Sequence, residues 1–158
     1  MKVNFDAALD LANGQTGAGV IAQKGRGEFV VAKTCYIQHN SDPFIGEMLA
    51  CREVMELAVQ HGFTHVELET DCLNLIQAWQ AEDQRSEGCH VLRELRSTSR
   101  FFQGFSFRFV RRAMNSAAHW LARHALVISS PEVIFDASPG SLIATVQSEQ
   151  CTSGDILI

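Results

Sequence analysis

Apolar and polar residues alternate from the start of the chain. Val3 and Phe5 fall on one side of an extended segment and Asn4 and Asp6 on the other, so Lys2 to Leu9 reads as a half-buried strand. Asn13-Gly14 marks a turn, Gly17 to Gln23 a second strand, and Gly25-Arg26-Gly27 a tight hairpin into a third strand, Glu28 to Ile37. Three strands joined by short glycine-rich turns predict an antiparallel meander. After Ser41-Asp42-Pro43 the period lengthens. Phe44, Met48, Cys51, Met55 and Ala58 form one face of a helix over Pro43 to Gln60, with Asp42 as its cap and His61-Gly62 at its end. Thr64 to Thr70 is a fourth strand, Cys72 to Ala81 a helix, Cys89 to Phe102 another, Phe105 to Val110 a fifth strand, and Ser116 to Val127 a last helix. Phe101, Phe102, Phe105, Phe107 and Phe109 read as core.

The order is βββ-α-β-α-α-β-α. An antiparallel start followed by strand–helix alternation predicts an α/β domain with a five-stranded mixed sheet flanked by helices. Periodicity fades after Ile128. The expected organisation is one domain over residues 1–128 and a C-terminal tail over 129–158, with one short helix near Leu142 to Gln147.

Length and composition agree with one globular domain. The 158 residues are 46% hydrophobic and 20% charged. The formal charge of −5 argues against broad electrostatic adhesion to nucleic acid or anionic lipid, although a site that holds divalent cations supplies its own positive charge. Five widely spaced cysteines form no CxxC or Cys/His cluster, which argues against zinc and for reduced thiols in an intracellular protein. No apolar run suits a signal peptide or a membrane span, so a soluble protein without a membrane partner is expected, its compartment not legible.

Three acids stand out by position. Asp6 lies in the first strand, where a buried carboxylate needs a partner; otherwise it is a strand-end acid reaching solvent. Glu47 borders the apolar stripe of the first helix, as a metal ligand or as an acid favoured near the helix start. Asp71 follows the fourth strand, as a ligand or as an N-cap. Glu69, on the same sheet face, reads as a solvated neighbour. Three carboxylates meeting at one point would repel each other without cations, and such hard donors suit Mg²⁺ or Mn²⁺, with two ions the expected number.

The segments Val3-Asn4-Phe5-Asp6-Ala7-Ala8, Gly17-Ala18-Gly19-Val20-Ile21, Gly46-Glu47-Met48-Leu49-Ala50, Val66 to Cys72 and Val110 to Ala122 are collinear. Together they resemble the ribonuclease H-like superfamily, and within it the reverse-transcriptase-like ribonuclease H domains of plants. The resemblance implies a metal-dependent endonuclease that hydrolyses the RNA strand of RNA–DNA hybrids. It implies that Asp6, Glu47 and Asp71 are metal ligands and catalytic residues. The family's fourth ligand, usually an aspartate, is His119 here, either a weaker metal ligand or a residue that packs and hydrogen-bonds at the helix edge. Implied substrate contacts are Gly17, Gly19, Arg111, Arg112 and Asn115. On the residues alone, the two glycines serve equally as turn and strand-entry positions, and the two arginines as a solvated strand end.

Two departures matter. The loop histidine that assists product release in many members has no counterpart here. The basic, Trp-rich handle that grips hybrid is absent too: Gln80 to Glu87 carries Glu82, Asp83 and Glu87 against Arg85. The alternative reading is therefore a catalytically weak or inactive nucleic-acid- or protein-binding module of retroelement origin. A monomer is expected, with a partner domain that supplies binding missing from this chain.

Overall fold

The computed structural model describes residues 1–81 and 89–137. The meander forms as the alternation predicts. Strands β1 (Lys2–Asp10), β2 (Gln15–Lys24) and β3 (Glu28–Gln38) pair antiparallel in sequence. Helix α1 (Pro43–Gln60) follows, with the Asp42 carboxylate accepting from the Phe44 and Ile45 amides at 2.8 and 3.0 Å. Then come β4 (His65–Thr70), α2 (Leu73–Ala81), α3 (Cys89–Ser99), β5 (Gly104–Phe109) and α4 (Ser116–Ile128). A single 3-10 turn at Arg112–Met114 precedes α4.

The expected five-stranded sheet has a sixth strand. β6 (Glu132–Phe135) pairs antiparallel with β3, giving the order β5-β4-β1-β2-β3-β6, in which β4 is parallel to both β1 and β5. Its alternation spans four residues, Val133 and Phe135 half-buried against exposed Glu132 and Ile134, too short to register as a period. The sheet thus takes up chain beyond residue 128. Buried Lys33 holds the new edge, its ammonium 2.7 Å from Glu53 on α1 and 3.3 Å from Glu132 on β6. The helix expected near Leu142 to Gln147 lies outside the described residues.

The two faces of the sheet differ. Val3, Phe5, Ala18, Val20 and Leu68 form the main core with Met48, Cys51, Val54 and Met55 of α1 and Leu92 and Leu95 of α3. The other face carries Ile21 and Ala32 under Ala117, Ala118 and Leu121 of α4. Here α4 lies almost on the backbone of β2. A Cβ at Gly17 would fall 2.1 Å from the Ala122 carbonyl oxygen, and one at Gly19 would fall 2.3 Å from the Ala122 nitrogen. Small residues at both contact points bring helix and strand closer than side chains would allow.

Two aromatics depart from the expected core. Phe102, Phe105 and Phe107 pack inward, whereas Phe101 is 81% exposed and Phe109 44% exposed. Helix α3 ends at Ser99, so Phe101 is not carried on its apolar face. Cys35, Cys51 and Cys72 are free thiols. Among the described residues, no helix is long and apolar enough to cross a membrane.

Candidate metal centre

The site lies where two parallel strands part. The β1–β4 ladder ends at Asn4 opposite Glu69. Asp6, in the middle of β1 and paired there with Gly19 of β2, and Asp71, just past β4, each stand two residues beyond that ladder, where the two parallel strands diverge and side chains from both sheet faces can meet. Glu47 enters from the second turn of α1, which Asp42 and Pro43 start in a fixed register. Buried Asn40 secures the approach by donating to Thr16 Oγ1 at 2.8 Å and to the Asp42 carbonyl at 3.1 Å.

One carboxylate oxygen from each of Asp6, Glu47 and Asp71 lies within 4.8 Å of the others. Asp6 is 2% exposed. Burial, and then the Asp71 charge, hold its carboxyl above the usual range. Burial and the charge of Asp6 push Glu47 up to about 10, with Asp71 adding to the effect. Glu47 Oε2 is buried and has no hydrogen-bond partner among the described residues. An acceptor left unpaired among like charges is costly unless a cation satisfies it. The donor set is three carboxyl groups, all oxygen, which fits a hard divalent cation such as Mg²⁺ or Mn²⁺.

His119 does not join this mutual cluster. Its Nδ1 lies 2.7 Å from Asp6 Oδ2, so the geometry is that of a hydrogen-bond partner. Arg112 Nη2 lies 2.9 Å from the same nitrogen and 3.4 Å from Nε2. One nitrogen cannot both donate to Asp6 and accept from Arg112. The shorter contact, to a carboxylate, takes the proton, which leaves Nε2 as the acceptor facing Arg112.

The expected substrate contacts separate. Asn115 is fully buried, which corrects its reading as a residue that touches substrate. Its Nδ2 donates to the Phe5 carbonyl at 2.9 Å and to Asp71 Oδ1 at 3.1 Å, and its Oδ1 accepts from Asn4 Nδ2 at 3.1 Å. Gly17 and Gly19 are buried under α4 in a strand paired on both edges, so they serve packing. Arg111 and Arg112 are exposed, and Arg112 Nε stands 3.9 Å from Asp71 Oδ2.

Glu69 is corrected as well. It is 3% exposed, accepts from Asn4 Nδ2 at 3.1 Å, and is clasped by the Arg108 guanidinium. A continuous chain therefore runs Arg108–Glu69–Asn4–Asn115–Asp71. The sequence reading missed Arg108, on the fifth strand, and Asn4. The available signal for Asn4 was its polar side chain on the same face of the first strand as Asp6.

Two clefts open here. One, of about 490 Å³, is lined by the three acids with Asp42, Cys72 and Asn74. The other, of about 940 Å³, runs along α4, and both are bounded by Ala7, Leu9 and Arg112.

Comparison with known proteins agrees with this architecture. No curated protein is significantly similar in sequence. Ribonuclease H1 from the halophilic archaeon Halobacterium salinarum NRC-1 is 25% identical, with a TM-score of 0.68 over 80% of this chain and 97% of that one. LC11-RNase H1, from compost and solved with an RNA/DNA hybrid, is 16% identical, with a TM-score of 0.72 over 81% and 97%. The N-terminal RNase H domain of rv2228c from Mycobacterium tuberculosis is also 16% identical, with a TM-score of 0.70 over 81% and 95%. The family described as reverse transcriptase-like matches residues 4–125, which include all three acids, the Asn4–Asn115 link and His119. With the sheet order and the acidic cluster, that match makes the chain a member of the reverse transcriptase-like family of the ribonuclease H-like superfamily.

Proposed function

We propose that this protein hydrolyses the RNA strand of RNA–DNA hybrids in a reaction that depends on Mg²⁺ or Mn²⁺ and leaves 3′-hydroxyl and 5′-phosphate ends. The observation that carries the reading is the Asp6–Glu47–Asp71 cluster with its unpartnered Glu47 Oε2. The LC11-RNase H1 complex supports hybrid as the substrate class.

Asp6, Glu47 and Asp71 would hold the cations. Two ions bound there supply an activated water and neutralise the leaving oxygen. The chain's own residues set the geometry. Asn115 fixes the rotamer of Asp71 from the buried side. His119 holds Asp6 Oδ2 by its Nδ1–H, so it acts by positioning Asp6. Arg112, exposed at the rim beside Asp71, is placed to meet a phosphate oxygen as substrate arrives.

The test is cleavage of a labelled hybrid by purified protein, with Mg²⁺ and Mn²⁺ titrated separately. Wild-type protein should cut with at least one ion, and Asp71→Asn should abolish cutting while the circular dichroism spectrum is unchanged. Failure of folded wild-type protein to cut with either ion rejects the proposal.

The second reading is a module that binds hybrid without turnover. It is favoured by the Asp6–His119 bond, which places an imidazole where a carboxylate ligand is usual. It predicts equal hybrid affinity for wild type and Asp71→Asn, with no product from either.

A further inference from the structure

The cleft along α4 has a charge that the chain as a whole does not. The sequence carries a formal charge of −5. Yet the 940 Å³ cleft is lined by Arg112, His119, Arg123 and His124 and by no acidic side chain. Helix α4 itself contains no Asp or Glu. Its lining residues recur at three- and four-residue spacing from Ser116 to Val127, so they form one helical face. On that face the Trp120 and His124 rings stack, with centroids 4.7 Å apart and planes 15° apart. Trp120 is braced from below by the core under α4. Arg123 is exposed and has no carboxylate partner among the described residues.

We infer that this cleft is the track for the RNA strand on one side of the cut. The inference rests on the function proposed above and adds the path of the strand. The cleft meets the acid-lined cleft at Ala7, Leu9 and Arg112, so a strand whose phosphate sits on the acids continues directly into it. Cationic side chains meet the phosphates, and the braced indole–imidazole stack offers a flat face to a ribose or base. The length is set by the helix. The eleven steps from Ser116 to Val127 at ~1.5 Å each span about 16 Å, or about five nucleotides at ~3.4 Å per step. Arg123 lies some two-thirds of the way along. It is the phosphate contact furthest from the acids, and losing it removes about one released counterion.

The experiment measures hybrid binding by fluorescence anisotropy in Mg²⁺ at several salt concentrations. Asp71→Asn protein serves as the parent, so that turnover plays no part. Adding Arg123→Ala should weaken binding roughly three- to tenfold and flatten the log K against log salt slope by about 0.9. Adding Arg100→Ala, an exposed arginine outside the cleft, should change neither. Shortening the RNA strand by five nucleotides on one flank should abolish the difference between parent and Arg123→Ala, whereas shortening the DNA strand should not. The inference is overturned if Arg123→Ala binds as the parent does, if Arg100→Ala matches its effect, or if only DNA shortening removes the difference. None of these results depends on whether wild-type protein cuts, so the two proposals fail separately.

Discussion

Replacing Asn115 by alanine separates a buried strut from a substrate contact. The side chain makes three hydrogen bonds in a fully buried setting: to the Phe5 carbonyl, to Asp71, and from Asn4. The two neutral bonds contribute ~1 kcal/mol each, and the bond to the Asp71 carboxylate ~1.5–3 kcal/mol. Alanine removes all three bonds, so the loss should be about 4 kcal/mol, a large share of the ~5–15 kcal/mol typical of a domain. With a urea m-value of ~2 kcal/mol/M, the unfolding midpoint should fall by about 2 M. Asn4→Ala removes one of the same bonds, so the double variant should be less destabilised than the sum of the singles, by about 1 kcal/mol. A midpoint shift below ~0.5 M, together with weaker hybrid binding, would show that Asn115 faces substrate and that the buried chain from Arg108 to Asp71 does not hold the site.

Three further outcomes are expected. Gly19→Ala puts a methyl 2.3 Å from the Ala122 nitrogen, so α4 must lift off β2 at a cost of at least ~2 kcal/mol, seen as a lowered thermal midpoint; an unchanged midpoint would contradict the packing. Asp42→Ala removes the α1 cap and should cost about 1 kcal/mol in urea unfolding, with no change in the slope of the transition. In EDTA the folded chain keeps a proton on Glu47 that the unfolded chain loses above about 4.5, so stability should fall as pH rises toward about 10, and Mg²⁺ should reverse the trend; thermal midpoints that rise with pH in EDTA would refute it.

Much of this site is legible from sequence because each acid carries a local signal. Asp6 reads as an acid on the polar side of a strand, Glu47 as the margin of an apolar helix stripe, and Asp71 as the residue between strand and helix. What pattern alone did not distinguish is who satisfies whom. Glu69 and Asn115 look like surface polar residues because their partners, Arg108 and Asn4, come from 39 and 111 positions away. Gly17 and Gly19 read as substrate contacts or as turn and strand-entry positions, because nothing local in the sequence shows that α4 lies against them. β6 was missed because four alternating residues carry too little periodicity, and its position is fixed by pairing with β3 and by Lys33.

The position of α4 ties these observations together. The glycines let it lie close on β2, and that closeness brings Asn115, at its start, under Asp71 and His119, one turn on, against Asp6. A helix held this tightly cannot tilt without moving both acids, so packing on the glycine face and geometry at the metal centre are one constraint. The same rigidity presents Trp120 and Arg123 at a fixed offset from the acids. Substitutions at Gly19, which pairs across from Asp6, or at Gly17, two residues along the same strand, should then disturb cation affinity before they unfold the chain. A Mg²⁺ titration of Gly17→Ala under conditions where it remains folded would read this directly, and affinity equal to wild type would separate the two roles of the helix.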